Sequence, residues 1–207
     1  AILGVVTGSS FSGVLGTYIG AGKFAPGALL LALLTPSVVS FALSLYSKRE
    51  EISMSLPIVA TGVGASTGLG VFGTAAVAGY FQVGTEIQRL ALLTRGITTP
   101  LAMTAATSLG ADVGLAVAFV VLTGLIGAAA GSKIMDIAGV PPDQKARGLA
   151  MGGAAHGLGT AALAGPEGNK EAAAFSAINM SLTGSLTCIL LVLPRVQKFV
   201  RGLMFGA

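Results

Sequence analysis

Five stretches of this chain run for 20 residues or more without a charged side chain: 1–22, 24–47, 52–85, 113–132 and 172–194. An α-helix needs about 20 apolar residues to cross a hydrocarbon core of ~30 Å. Each run meets that length. Charged residues make up 10% of the chain and hydrophobic ones 53%. A soluble domain carries about 25% charge and could not hide this much apolar surface from water. The sequence therefore reads as an all-α polytopic membrane protein, a single transmembrane domain over 1–207, with six to seven hydrophobic segments.

The segments are 2–19, 26–47, 52–85, 90–110, 113–135, 146–166 and 172–193. Pro36 removes a backbone donor inside the second and is expected to kink it. The third, at 34 residues, is about 51 Å as one helix. That is too long for one upright span, so Pro57 and the glycines at 62–73 suggest a broken or re-entrant path. Small residues recur four apart at Gly4, Gly8, Ser12, Gly16 and Gly20, at Gly64 and Gly68, and at Gly127 and Gly131. Such stripes let membrane helices approach closely.

Two segments are interrupted midway. Thr98-Thr99-Pro100 breaks 90–110, and His156-Gly157-Leu158-Gly159-Thr160 breaks 148–166. Irregular backbone and charge at membrane depth persist only where protein or a watery cavity satisfies them. Arg95 and the single His, His156, lie beside these breaks. A guanidinium presents a planar fork that matches a carboxylate, although Arg95 could instead snorkel to the headgroups. An imidazole can donate to a substrate oxygen or carry a proton. Gly157 and Gly159 leave the backbone around it open. Thr98, Thr99 and Thr160 add hydroxyls at the breaks, and Asn179, Ser181 and Thr183 add polar groups on the last helix, whose hydroxyls could instead bond back to the preceding turn.

The interruptions are part of an internal repeat. Leu122-Thr123-Gly124 recurs 60 residues later as Leu182-Thr183-Gly184, and the same offset places Gly96 on His156, Thr99 on Gly159 and Pro100 on Thr160. Repeats of this kind place substrate at their interface. Both a parallel and an inverted relation fit the sequence. If every segment crosses fully, Lys133, Lys145, Arg147, Arg195, Lys198 and Arg201 share one side of the membrane, the positive-inside one, and Lys48, Arg49 and Lys170 the other.

Several chemistries drop out. The single Cys188 allows no intrachain disulfide, and one His with one Cys makes no zinc site. Gly68–Gly73 spells a dinucleotide fingerprint without the strand–turn–helix that gives it meaning. No basic face with interleaved aromatics suggests nucleic acid. No nucleophile–base pair suggests an enzyme, and no cofactor is expected. Asp112, Glu167 and Glu171 fall in short loops. The chain opens on Ala1 rather than Met, which leads us to expect further sequence upstream.

The stretch Ala146-Arg147-Gly148-Leu149-Ala150, then Ala155-His156-Gly157-Leu158-Gly159-Thr160-Ala161-Ala162, resembles a signature of the LrgB/CidB membrane family. Thr98-Thr99-Pro100 after a basic residue resembles its second signature, and the likeness extends over 24–200. Plastidal members of that family imply a secondary transporter of glycolate and glycerate, small 2-hydroxy monocarboxylates, in the chloroplast inner envelope during photorespiration. The form of the His156 motif and the ending Pro194-Arg195-Val196 are closest to those members, which places the envelope ahead of a bacterial plasma membrane. Bacterial members imply the alternative, a holin-like pore or regulator of murein hydrolase export. The resemblance further implies an LrgA-like subunit or domain as partner, and the chain is expected to form homo-oligomers among membrane lipid. The expected substrate-binding residues are Arg95, Thr98, Thr99, His156, Gly157, Gly159, Thr160, Asn179 and Thr183.

Overall fold

A computed structural model describes residues 26–82, 84–165 and 169–206, and these divide between two compact units, Ala1–Tyr46 and Ser47–Ala207. The first expected segment and its small-residue stripe lie outside the described residues. Within the first unit α1 spans Pro26–Ser47 and runs through Pro36. Several of its large apolar side chains, Leu33 and Leu43 among them, are exposed.

The second unit is all helical among its described residues. It comprises α2 Arg49–Met54, α3 Leu56–Gly68, a π-helical turn Leu69–Gly73, α4 Thr74–Phe81, α5 Glu86–Leu92, α6 Thr99–Leu109, α7 Val113–Ile137, α8 Gln144–Leu163, α9 Lys170–Val192 and α10 Pro194–Phe205. Polar residues start the helices where the sequence changes character. Asp112 accepts from the Leu115 amide at 2.8 Å, Asp143 from that of Ala146 at 2.7 Å, and Asn169 from those of Glu171 and Ala172. Each cap satisfies amides that the first turn leaves free.

Among the described residues, three helical stretches are long and apolar enough to cross a bilayer: Leu56–Phe81, Val113–Ile137 and Lys170–Val192. The outer faces of α7 and α9 expose Leu122, Leu125, Ile126 and Ile189. A soluble protein rarely shows so continuous an apolar surface.

The two interrupted segments do not run straight. Each folds back as a helical hairpin. In the first, α5 and α6 are joined by the irregular residues 93–98. Arg201 bonds both the Glu86 carboxylate, at the start of α5, and the Leu109 carbonyl, at the end of α6. The Asp112 amide reaches the Ile87 carbonyl at 3.4 Å. The ends of this hairpin therefore lie side by side. In the second, α8 reverses at His156, whose backbone leaves the helical region (φ 40, ψ −132). Gly152 and Thr160 both meet Ser176 of α9: a Cβ on Gly152 would stand 2.1 Å from the Ser176 carbonyl oxygen, and Thr160 Oγ1 lies 2.7 Å from Ser176 Oγ. In a straight helix those two residues would be about 12 Å apart along the axis.

The same contacts sort the ends of the molecule. Lys48, Lys145 and Lys170 line one hollow, and Lys145 donates to Ser55 just before α3. The close of α4, both ends of the first hairpin and α10 gather at the opposite end. There Arg89 donates to the Met204 carbonyl at 3.2 Å, and α10 lies so close on α4 that a Cβ on Gly79 would meet the Leu203 carbonyl oxygen at 2.2 Å.

Three expectations are corrected. The charge grouping fails, because it required both interrupted segments to cross. Lys145 instead shares an end with Lys48 and Lys170, and Arg201 lies at the other. The stretch 52–85 does not turn back: after a break at Ser55 it runs from Leu56 to Phe81, interrupted only by a π turn that stays helical. Pro57 sits in the first turn of α3, where its missing N–H costs nothing, and the Gly-rich run is absorbed by the π turn into one helical path of 26 residues. The Gly64/Gly68 stripe faces open space, whereas Gly127 and Gly131 pack against Ala155 and Met151.

Candidate functional site

The three interruptions of the second unit meet. The π turn sits midway along Leu56–Phe81, and the first residue after it, Thr74, accepts a bond from Arg95 Nη2 at 3.2 Å. Arg95 belongs to the tip of the first hairpin. Its neighbour Gly96 faces the second hairpin, where a Cβ would lie 3.5 Å from the Gly153 carbonyl oxygen. That is ordinary van der Waals distance, whereas a Cβ on Gly153 would collide with Ser66 Oγ at 2.0 Å, so Gly153 is what lets α8 pack on α3.

Two clefts flank that contact. One, of about 540 Å³, runs between α3 and the first arm of α8, and Arg95, Gly96, Gly70 and Ser66 line its inner part. The remaining lining is apolar or small: Ile58, Ala65, Leu149, Ala150, Ala154. Such walls leave a charged ligand one obvious partner, the guanidinium. Arg95 is half-buried, so an anion would meet it in a setting less screened than water.

The other cleft, of about 500 Å³, is lined by Thr98, Thr99, Pro100, Val120, Val121, His156, Gly157 and Leu158. Here α6 begins, and the amides of its first turn lack intrahelical partners. Thr98 is 9% exposed, and its hydroxyl oxygen has no partner. His156 is buried, and Nε2 lies 2.9 Å from the Val120 carbonyl oxygen. A carbonyl can only accept, so this nitrogen carries the proton and Nδ1 is left as the free ring position.

Behind the contact lies a polar seam. Asn179, fully buried, donates to Ser66 Oγ at 3.0 Å and to the Leu149 carbonyl at 2.5 Å, and Thr183 donates to Asn179 Oδ1 at 3.0 Å. Thr160 donates to the His156 carbonyl at 2.8 Å, which ties down the turn. Gly159 gives room for the reversal: a Cβ there would fall 2.6 Å from that of Ala155 and 2.9 Å from Met151 Cγ.

The expected residues thus fall into three sets. Thr98, Thr99, His156 and Gly157 share one cleft. Arg95 lines the other. Thr160, Asn179, Thr183 and Gly159 hold the frame. Sequence reasoning missed Thr74, Ser66, Ser176 and the Val120 carbonyl. Ser66 sits in a Ser-Thr pair within a Gly-rich run, a signal that was available. For Thr74 and Val120 there was none, since their roles come from residues 21 and 36 positions away.

The two Leu-Thr-Gly steps make reciprocal contacts. A Cβ on Gly124 of α7 would meet His156 Cε1 at 2.6 Å, and one on Gly184 of α9 would meet Leu101 Cδ1 at 2.9 Å. Each Thr-Gly step therefore touches the hairpin of the other half.

The chain is 36% identical over 198 residues to plastidal glycolate/glycerate translocator 1, chloroplastic, of Arabidopsis thaliana, covering 94% of this chain and 38% of that protein. It is 33% identical to the holin-like protein CidB of Staphylococcus epidermidis, over 77% of this chain and 68% of the relative. For CidB of Staphylococcus aureus the identity is 34%, over 80% and 70%. This chain thus spans well under half of the translocator's length. No solved structure matches it. Residues 3–196 match the LrgB-like family, and with these relatives the chain belongs to that family, a family of integral membrane proteins.

Proposed function

We propose that this chain is the transport core of a secondary carrier for small 2-hydroxy monocarboxylates, glycolate or glycerate among them. The observation that carries the reading is the meeting of two helical hairpin tips at a glycine contact, Gly96 to Gly153, with a separate cleft on each side. In this reading Leu56–Phe81, α7 and α9 cross the bilayer, and the hairpins are re-entrant and enter from opposite faces. The arms α5 and α6, of 7 and 11 residues, reach about 10 and 16 Å, roughly half of a ~30 Å core. Hairpin plus span, repeated with opposite sense, is an inverted repeat with substrate bound at its pseudo-two-fold axis.

The substrate carboxylate enters the larger cleft and takes the two-pronged face of Arg95, cancelling its charge in an apolar surround. Thr74 keeps the guanidinium oriented meanwhile. Parting of Gly96 from Gly153 then passes the acid to the opposite cleft, where Thr98, Thr99 and the amides that open α6 receive it. His156 and Gly157 face the 2-hydroxyl there. Thr160, Asn179 and Thr183 keep the two tips in register. The name of the plant relative supports the substrate class and a chloroplast location, and the family resemblance points to the inner envelope. No cofactor or catalytic step enters the cycle, and the carrier works as one membrane domain in a homo-oligomer.

The test is uptake of labelled glycolate by liposomes holding the purified chain. Saturable uptake, lost in Arg95→Ala and reduced in His156→Ala, is the expected result. Unchanged uptake in both variants ends the site assignment. A second reading rests on the CidB relatives, which this chain covers more completely than it covers the translocator: a holin-like pore in a bacterial plasma membrane. A pore would release trapped dyes of several sizes without saturation. Flux that appears only on co-reconstitution with an LrgA-like subunit would make the chain one half of a partnered system.

A further inference from the structure

Helix α10 differs from every other long helix of the second unit. It begins at Pro194, two residues after α9 ends, and carries three of the chain's 12 Lys and Arg residues, Arg195, Lys198 and Arg201, with Arg89 of α5 packed beside it. Its inward face is closed by buried Val200 and Met204, and Gln197 donates to the Leu191 carbonyl at 2.7 Å; Phe199, at the edge between the two faces, touches Phe72 edge to face at 5.7 Å and stays largely exposed. Arg201 and Arg89 are consumed by this packing, Arg201 on Glu86 and the Leu109 carbonyl, Arg89 on the Met204 carbonyl and over the Phe205 ring at 5.0 Å.

The outward face is different. Arg195 and Lys198 are exposed, and neither has an ion pair among the described residues. With Phe199, Gly202 and Leu203 they line a hollow of about 480 Å³. Positions 195, 198, 199, 202 and 203 are spaced as one helical stripe. Along it two free cations are followed by exposed aromatic and aliphatic side chains, Phe199 at 58% and Leu203 at 39%. With α9 crossing the bilayer, α10 follows directly on the end of a span and would sit at headgroup depth. An amphipathic helix there, basic on its polar side, binds the interface plane and gains most from anionic lipid.

We propose that α10 holds a binding site for an anionic phospholipid, with the phosphate between Arg195 and Lys198 and an acyl chain along Phe199 and Leu203. A zwitterionic lipid fits the apolar half equally well but returns no net charge to the two cations. The site is separate from the transport reading and stands whether the chain is a carrier or a pore.

The experiment is a lipid titration of the full chain, read by native mass spectrometry. It compares phosphatidylglycerol with phosphatidylcholine of the same acyl chains. Two cations near a charged headgroup predict a preference of roughly tenfold or more for phosphatidylglycerol. The double variant Arg195→Gln/Lys198→Gln loses that preference, and Arg195→Lys keeps most of it. Lys133→Gln, an exposed cation on α7, leaves it unchanged. Both substituted α10 side chains are exposed and unpaired, so the fold is not at stake, and circular dichroism checks it. Equal retention of the two lipids overturns the site. So does an unchanged preference in the double variant, or an equal loss in Lys133→Gln, which would mark diffuse attraction instead.

Discussion

The two hairpins do the same geometric job with different materials. The first turns through six irregular residues, 93–98, and its ends are tied by charge, through Arg201 to Glu86 and to the Leu109 carbonyl. The second turns at His156 alone, and backbone proximity holds its arms on α9, at Gly148 against Ala172 and Gly152 against Ser176. A long turn has room for side chains on both sides, and Arg95 and Thr98 line the two clefts beside it. A one-residue turn leaves no slack and must be made rigid by everything around it. The first hairpin is therefore suited to give way, and the second to serve as the surface it moves against.

That contrast can be broken by experiment, and the largest effect belongs to the second hairpin. Gly152→Val puts new carbon into the Ser176 carbonyl, which is backbone and cannot swing aside. A loss of about 3 kcal/mol or more is expected for such overpacking, read as failure to recover monodisperse protein in detergent. A normal yield would show that the arms are looser than their spacing implies. Next comes function at the first tip. Arg95→Ala removes a charge-assisted contact worth about 1.5–3 kcal/mol, a fall of roughly 10- to 150-fold in apparent glycolate affinity, with thermal stability little changed.

The third effect isolates backbone from side chain. His156 holds a positive φ of 40, a region glycine enters freely and other residues do not. His156→Gly should therefore be more stable than His156→Ala by about 1 kcal/mol, measured as the difference in melting temperature. The reverse order would mean that the turn is not strained. A smaller asymmetry is expected between the reciprocal glycines. Gly124→Ala presses on the His156 ring, which is anchored to Val120, whereas Gly184→Ala presses on the tip of a leucine that can rotate. Uptake should fall several-fold in the first and hardly at all in the second. Least of all is Arg201→Ala. Its ion pair with Glu86 is partly exposed and so contributes no more than about 1 kcal/mol, seen as faster hydrogen exchange in α5. If exchange in α8 rises instead, the first hairpin is not the one that yields.

The relation between the hairpins also explains what sequence could reveal. The 60-residue offset was legible because Leu-Thr-Gly recurs, and Gly124 and Gly184 occupy matching places. Its sense was not legible. A hairpin and a full span have the same apolar length once the break is included, and the charges at the ends fit either. The contacts of Arg201 and Ser176 show each interrupted segment folded back on itself, and the inverted relation is the one proposed above. Likewise Arg95, Thr98 and His156 were recognisable as polar groups beside breaks. Their division between two clefts was not, since it depends on which side of the Gly96–Gly153 contact each lies.

Composition and run length by themselves made this an all-helical membrane protein, because hydrocarbon admits only backbone that satisfies its own hydrogen bonds. They also located both interruptions, since Thr-Thr-Pro and a glycine-flanked histidine are poor helix interior whatever surrounds them. Tertiary packing alone decided that one Gly-rich run stays helical while a shorter one reverses. Local propensity is nearly balanced at such sites, and the reversal at His156 is fixed by α7 and α9, which close around it and leave no room for a straight helix.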